Sequence, residues 1–151
     1  MSEKRQAWIA ILAKAPEERL EACAQTIVSE APAAVMLRSP EIGLAMVRGR
    51  AGGTGQKFNL GEMTVTRCVV QLDSLDPDRP ISGFGYVAGR SRRHAELAAT
   101  CDALLQHPAW RDRVWNQVIA PLQAEAEERR QRQQQQTEAT RVKFFTMPRG
   151  S

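Results

Sequence analysis

The sequence predicts an α+β fold: a four-stranded antiparallel sheet with helices packed mainly on one face and a C-terminal helical arm. Three observations carry this. Apolar residues recur at helical spacing over the first thirty residues. Between Ala33 and Gly89 they give way to short alternating or β-branched runs, and after Gly89 the helical spacing returns. The loops between the strand runs are too short for crossover helices, which makes the sheet antiparallel.

Trp8, Ile11, Leu12 and Ala15 share one helix face. Pro16 opens a second helix, at the position where a missing N–H costs nothing, and Leu20, Cys23, Ala24, Ile27 and Val28 give it an apolar side. Glu17, Glu18 and Glu21 fall in its early turns, the favourable end for negative charge. Val35–Leu37 is a short apolar run, closed by the turn signal Ser39-Pro40. A second run alternates over Ile42–Val47, a third is the β-branched MTVTRCVVQL from Met63 to Leu72, and a fourth alternates from Phe84 to Gly89. Ser91 can cap a helix starting near Arg92, with Leu97, Cys101, Leu104 and Leu105 as its buried stripe and His107-Pro108 as its stop. A further helix holds Trp110, Val114, Trp115, Val118 and Ile119 and is interrupted or restarted at Pro121. Residues 1–121 thus form an α+β domain, with helices at 2–30, a sheet at 33–89 and helices at 91–121. Residues 122–151 form a polar helix and an apolar-tipped arm. In that helix Glu125–Arg129 and Glu128–Arg132 are i,i+4 pairs, and no apolar stripe is present. In the tail, alternation over Val142–Met147 reads as an added strand; the tail either folds back on its own core or offers Phe144, Phe145 and Met147 as an apolar anchor for a partner.

The 151 residues suffice for one core, and the apolar runs are far short of the ~20 residues of a membrane helix. The N-terminus has no apolar stretch of signal-peptide type. Cys23, Cys68 and Cys101 are scattered and odd in number, which reads as a reducing compartment, the cytoplasm, without disulfides. With only His94 and His107 to join them, no metal site is expected. The net charge is +4, and arginine supplies 17 of the 21 cations. Acids balance most of these, and no aromatic stacking surface accompanies them, so nucleic-acid binding is not expected.

Two segments concentrate chemistry. Gly52, Gly53, Thr54 and Gly55, with Arg48, Arg50 and Lys57 beside them, can expose successive N–H groups to an anion, or can simply be a flexible strand connection. The segment is neither a P-loop nor a dinucleotide fingerprint. Arg90, Arg92, Arg93 and His94 crowd the start of a helix, where a phosphate or an acidic partner would neutralise them; a solvated basic turn is the plainer reading. His94 and Glu96 point to different helix faces, and no nucleophile–base pair stands at a supporting spacing, so no catalytic residue is expected. A small stand-alone enzyme or binding module for a phosphorylated ligand, using the glycine loop and the Arg90–His94 turn, is the alternative these segments allow.

The blocks RAGGTGQKFNLGEMTVTRCVVQL, GYVAGRSRRHAELAATCDALLQ, VIAPL and TRVKFFTMPRG stand in order between about residue 42 and residue 150. Together they resemble the PhnG family of the bacterial carbon–phosphorus lyase system. The resemblance implies a cytoplasmic, non-autonomous subunit working with the PhnH, PhnI and PhnL proteins. These displace adenine from ATP with a phosphonate to give a ribose 1-phosphonate 5-triphosphate. It also implies a two-fold core complex with PhnH, PhnI and PhnJ. ATP is then the substrate of the complex, and no cofactor is assigned to this chain. In isolation, the C-terminal arm is expected either to be mobile or to pack on a second copy.

Overall fold

A computed structural model describes residues 2–50, 57–73 and 78–146, with side chains at 3–46, 61–73 and 78–140. Two N-terminal helices, α1 (Ser2–Lys14) and α2 (Glu17–Glu30), precede three strands, β1 (Val35–Arg50), β2 (Lys57–Leu72) and β3 (Ile81–Ala88). Then follow α3 (Arg92–Leu105), α4 (Pro108–Val114), a π turn over Trp115–Ile119 and the long α5 (Ala120–Thr146). The strands form one antiparallel sheet in the order β1-β2-β3. Among the described residues, no helix is long and apolar enough to cross a membrane.

The sheet therefore has three described strands, not the expected four. Val35–Leu37 and Ile42–Val47 belong to one strand, because Ser39-Pro40 does not turn the chain. The register instead shifts between Met36 and Arg38 and again between Arg38 and Glu41. Proline cannot donate to a ladder, but β1 is an edge strand, and a bulge there absorbs the ring without ending the pairing.

The core lies between the sheet and α3. Cys68, Val70 and Leu72 of β2 and Gly83, Gly85 and Val87 of β3 point inward and are buried. Gly83 and Gly85 are required by close approach: a Cβ on either would sit 2.0 Å from a carbonyl oxygen of α3, Ala99 O and Ala95 O respectively. Ala95, Ala99 and Ala103 recur every four residues on the facing side of α3, so small residues on both elements let the two backbones touch. The other faces of α3 are covered by α1, α2 and α4. The helix is consequently buried almost all round, beyond the single stripe expected for it.

Local chemistry sets the ends of the helices. The Ser91 hydroxyl accepts from the His94 N–H and caps α3 as expected. His107 Nδ1 accepts from the Ala109 N–H, with Pro108 at the first helical position of α4. Pro121 neither interrupts nor restarts the chain: α4, the π turn and α5 run on without a break. Proline withholds its N–H and crowds the carbonyl four residues back, and the wider π turn just ahead of it absorbs the misfit. The strand reading of the tail is likewise corrected, since helical backbone continues to Thr146. Ion pairs fasten the helices at the periphery: Arg19–Glu125 at 2.7 Å joins α2 to α5, and Arg113–Glu30 joins α4 to α2.

Candidate functional site

The two basic segments lie toward the same end of the sheet but at different heights. Arg48, Gly49, Arg50 and Lys57 occupy the end of the β1–β2 ribbon, where Arg48 pairs with Asn59, Gly49 with Phe58 and Arg50 with Lys57. Gly52, Gly53, Thr54 and Gly55 lie outside the described residues. β3 ends earlier, with Ala88 opposite Val65. Residues 57–64 of β2 thus extend past the third strand, a ribbon of roughly 25 Å at ~3.3 Å per residue. The Arg90–His94 turn sits at the base of this ribbon.

At that turn Gly89 takes φ +101, a left-handed conformation that favours glycine, and so redirects the chain from β3 into α3. Its N–H donates to Thr64 O, and its own carbonyl accepts from the buried Thr66 hydroxyl. Arg90 and Arg92 are exposed. Arg93 lies 3.4 Å from Glu21 and 3.8 Å from Glu96, so carboxylates of α2 and α3 already answer its charge. His94 is buried, with Nε2 2.9 Å from Leu12 O, and its ring ties α3 to α1.

The remaining buried polar side chains are also occupied in holding the fold. Thr100 donates to Glu96 O. Asp102, fully buried on α3, accepts four bonds: from Arg5 Nε at 3.2 Å, Arg5 Nη2 at 2.9 Å, Trp8 Nε1 at 2.8 Å and the Phe84 N–H at 2.9 Å. Its hydrogen bonds hold the Arg5 guanidinium in its charged form. Burial pushes the Cys101 thiol up to about 12 and the Cys68 thiol up to about 11, the opposite of an activated nucleophile. Among the described residues, no group of three His, Cys, Asp or Glu side chains could hold a metal ion.

The sheet holds what sequence reasoning passed over. Every exposed large apolar side chain among the described residues belongs to a strand: Val35, Met36, Leu37, Ile42, Leu44 and Met46 on β1, Met63 on β2, and Phe84 and Tyr86 on β3. Leu44 is 69% exposed and Tyr86 50%. On the outer face Arg38, Arg67, Val69, Phe84 and Tyr86 line a shallow groove of about 160 Å³. Arg5 lies over the Phe84 ring at 5.4 Å. The signal was the GFGY pattern of β3, in which the glycines go inward against α3 and the aromatics are left outside. A second groove, about 170 Å³, lies between α1 and α5, with Ile11 and Leu122 in its wall and Lys14 and Arg129 at its rim. The arm residues Phe144 and Phe145 have backbone in α5, and Met147 lies outside the described residues.

An extensive apolar surface on a sheet whose buried polar groups serve structure suits a chain that works against other chains. The comparisons agree. The family model described as "Phosphonate metabolism protein PhnG" matches residues 3–150. The alpha-D-ribose 1-methylphosphonate 5-triphosphate synthase subunit PhnG of Rhizobium meliloti (strain 1021) is 42% identical over 126 residues, spanning 82% of this chain and 75% of that protein. The chain therefore belongs to the PhnG family.

Proposed function

We propose that this chain is a non-autonomous subunit of an alpha-D-ribose 1-methylphosphonate 5-triphosphate synthase. In this reading a phosphonate oxygen takes the place of adenine at the ribose of ATP, the glycosidic bond to the base breaks, and the 5-triphosphate is retained. The single observation that supports it most is the 42% identity to a relative of that name over 82% of the chain. The apolar sheet surface adds physical support, since an assembly would cover it.

The partners are the PhnH, PhnI and PhnL proteins for the transfer, and PhnJ with PhnH and PhnI in the core complex. The chain alone turns over neither ATP nor phosphonate. Arg90 and Arg92, with Arg48, Arg50 and Lys57 along the ribbon, meet either the triphosphate or an acidic partner surface, and the C-terminal arm docks on another subunit. The compartment is the cytoplasm.

Reconstitution tests this. Adenine release from ATP with methylphosphonate is expected from the full set of subunits, and loss of that release is expected when this chain is left out. Full activity without it, or adenine release by the pure chain, overturns the reading.

A further inference from the structure

The β1–β2 ribbon reaches past the helices that cover the rest of the sheet. Ile42, Leu44 and Met46 stand opposite Thr66, Thr64 and Glu62, and directly opposed residues share a face. Thr66 is buried on the α3 side, in step with Cys68 and Val70, so Ile42, Leu44 and Met46 lie on that side too. The helix layer stops short of them. The Gly89 N–H donates to Thr64 O, and the chain turns there into α3. Leu44 and Met46 project past the start of that helix and are 69% and 52% exposed. The result is a corner. An apolar strip of roughly 13 Å from Ile42 to Met46, at ~3.3 Å per residue, stands over a turn where Arg90 and Arg92 face solvent. A two-stranded ribbon is marginal in water without a surface to pack on.

We infer that this corner seats an apolar, carboxylate-bearing face of another subunit of the synthase. This rests on the proposed function. Arg90 and Arg92 make no ion pair among the described residues, whereas Arg93 between Glu21 and Glu96 is already answered; Glu17 and Glu18, earlier in α2, pair with none of the three. Arg48, Arg50 and Lys57 stand at the far end of the ribbon. Against these five cations the strip's own face carries one carboxylate, Glu62. Glu41 is on the opposite face, across from Arg67, where Arg38 and Arg67 share it at 4.0 and 3.7 Å. A second copy has nothing that fits. Its exposed large apolar side chains, among the described residues, are all on strands, and the strands carry Arg38, Arg48, Arg50, Lys57 and Arg67 against Glu41 and Glu62 alone. The apolar end of its C-terminal arm is no better suited: Arg141, Lys143 and Arg149 surround Phe144, Phe145 and Met147, and no Asp or Glu follows Glu138. Every apolar surface this chain could offer itself is cationic, and like charge would meet like. A triphosphate would satisfy the arginines and leave the strip in water. A partner face with both apolar side chains and carboxylates satisfies the two together.

The test co-expresses the full chain with the other subunits in three forms: unaltered, Leu44→Thr/Met46→Thr and Arg90→Glu/Arg92→Glu. All four side chains are exposed, threonine suits a strand, and a carboxylate suits the first turn of a helix better than a guanidinium. Both isolated variants are therefore expected to keep their circular dichroism spectrum and melting temperature. Recovery with the other subunits is expected to fall at least tenfold for each. Arg90→Gln/Arg92→Gln, which removes attraction without adding repulsion, should fall between the unaltered chain and the Glu form. Equal recovery of either variant overturns this inference and leaves the proposed function standing. If the arginine variant is recovered equally but adenine release is lost, the arginines serve the triphosphate instead. An isolated unaltered chain that sediments as a dimer, and as a monomer once Leu44 and Met46 are threonine, also overturns the inference and assigns the corner to a second copy. Failure of the unaltered chain to co-purify at all overturns the proposed function, and the inference with it.

Discussion

The Asp102 carboxylate grips the Arg5 guanidinium at two points, across 97 residues of sequence, with both nitrogens within 3.2 Å. The carboxylate is fully buried, and Arg5 keeps a third of its side chain in solvent. One carboxylate thereby fixes α1 to α3 and, through the Phe84 N–H, α3 to the edge of β3.

Asp102→Ala is expected to destabilise the chain by about 3–5 kcal/mol, since it strands a guanidinium, an indole N–H and a main-chain N–H. Arg5→Ala should cost less, because Trp8 and Phe84 still serve the carboxylate. Urea unfolding of the two variants checks the order; equal small losses would show that the cluster is peripheral.

Gly85→Ala places a methyl 2.0 Å from Ala95 O, and main chain cannot yield there as a long side chain would. A loss of about 3 kcal/mol or more is expected, at the upper end for overpacking. Gly43→Ala, with nothing within 4 Å of the added carbon, should be tolerated. Thermal melts of the pair measure the contrast.

Stability should fall in alkali. A thiol ordinarily titrates near 9.0, whereas burial, with Asp102 adding to it, pushes Cys101 up to about 12. Below the ordinary value both folded and unfolded chains hold the proton. Above it the unfolded chain ionises first, so stability is lost as pH rises from about 9 towards 12. Denaturant midpoints across that range should decline for the wild type and decline less for Cys101→Ala.

Truncation after Ala139 should leave the domain folded, with stability changed by less than about 0.5 kcal/mol. Residues 131–140 are all exposed, so the described body loses no packing there. Recovery with the other subunits should nevertheless drop. A truncated chain that unfolds, or one that assembles normally, would count against a docking arm.

Several helices were legible because they carry their own punctuation. Pro16 and Ser91 mark two starts chemically, His107-Pro108 reads as the stop of α3 and is also where α4 begins, and the apolar spacing gives the inner faces. The sheet was less so. Ser39-Pro40 has the composition of a turn, and only the edge position of β1 makes it a bulge. Which side of β3 faces inward depends on how near α3 comes, and that is a property of two elements together. The Arg90–His94 segment shows the same limit. Its residues adjoin in sequence, yet Arg90 and Arg92 face solvent, Arg93 is paired and His94 is buried against Leu12. Asp102 escaped notice because its partners come from α1 and β3, and no local pattern announces them.

The π turn at Trp115–Ile119 also acts as a phase-shifter. A π turn accommodates one residue more than the α-helix would, and one residue is about 100° of rotation. Everything downstream is dialled round by that angle relative to α4. Leu122 reaches the core and Glu125 reaches Arg19 in the resulting setting. Forcing the same residues into an unbroken α-helix would swing both contacts away, whereas deleting one residue of the turn would straighten the helix and keep them, so the rotational setting of the whole C-terminal rod is encoded in five residues ahead of Pro121.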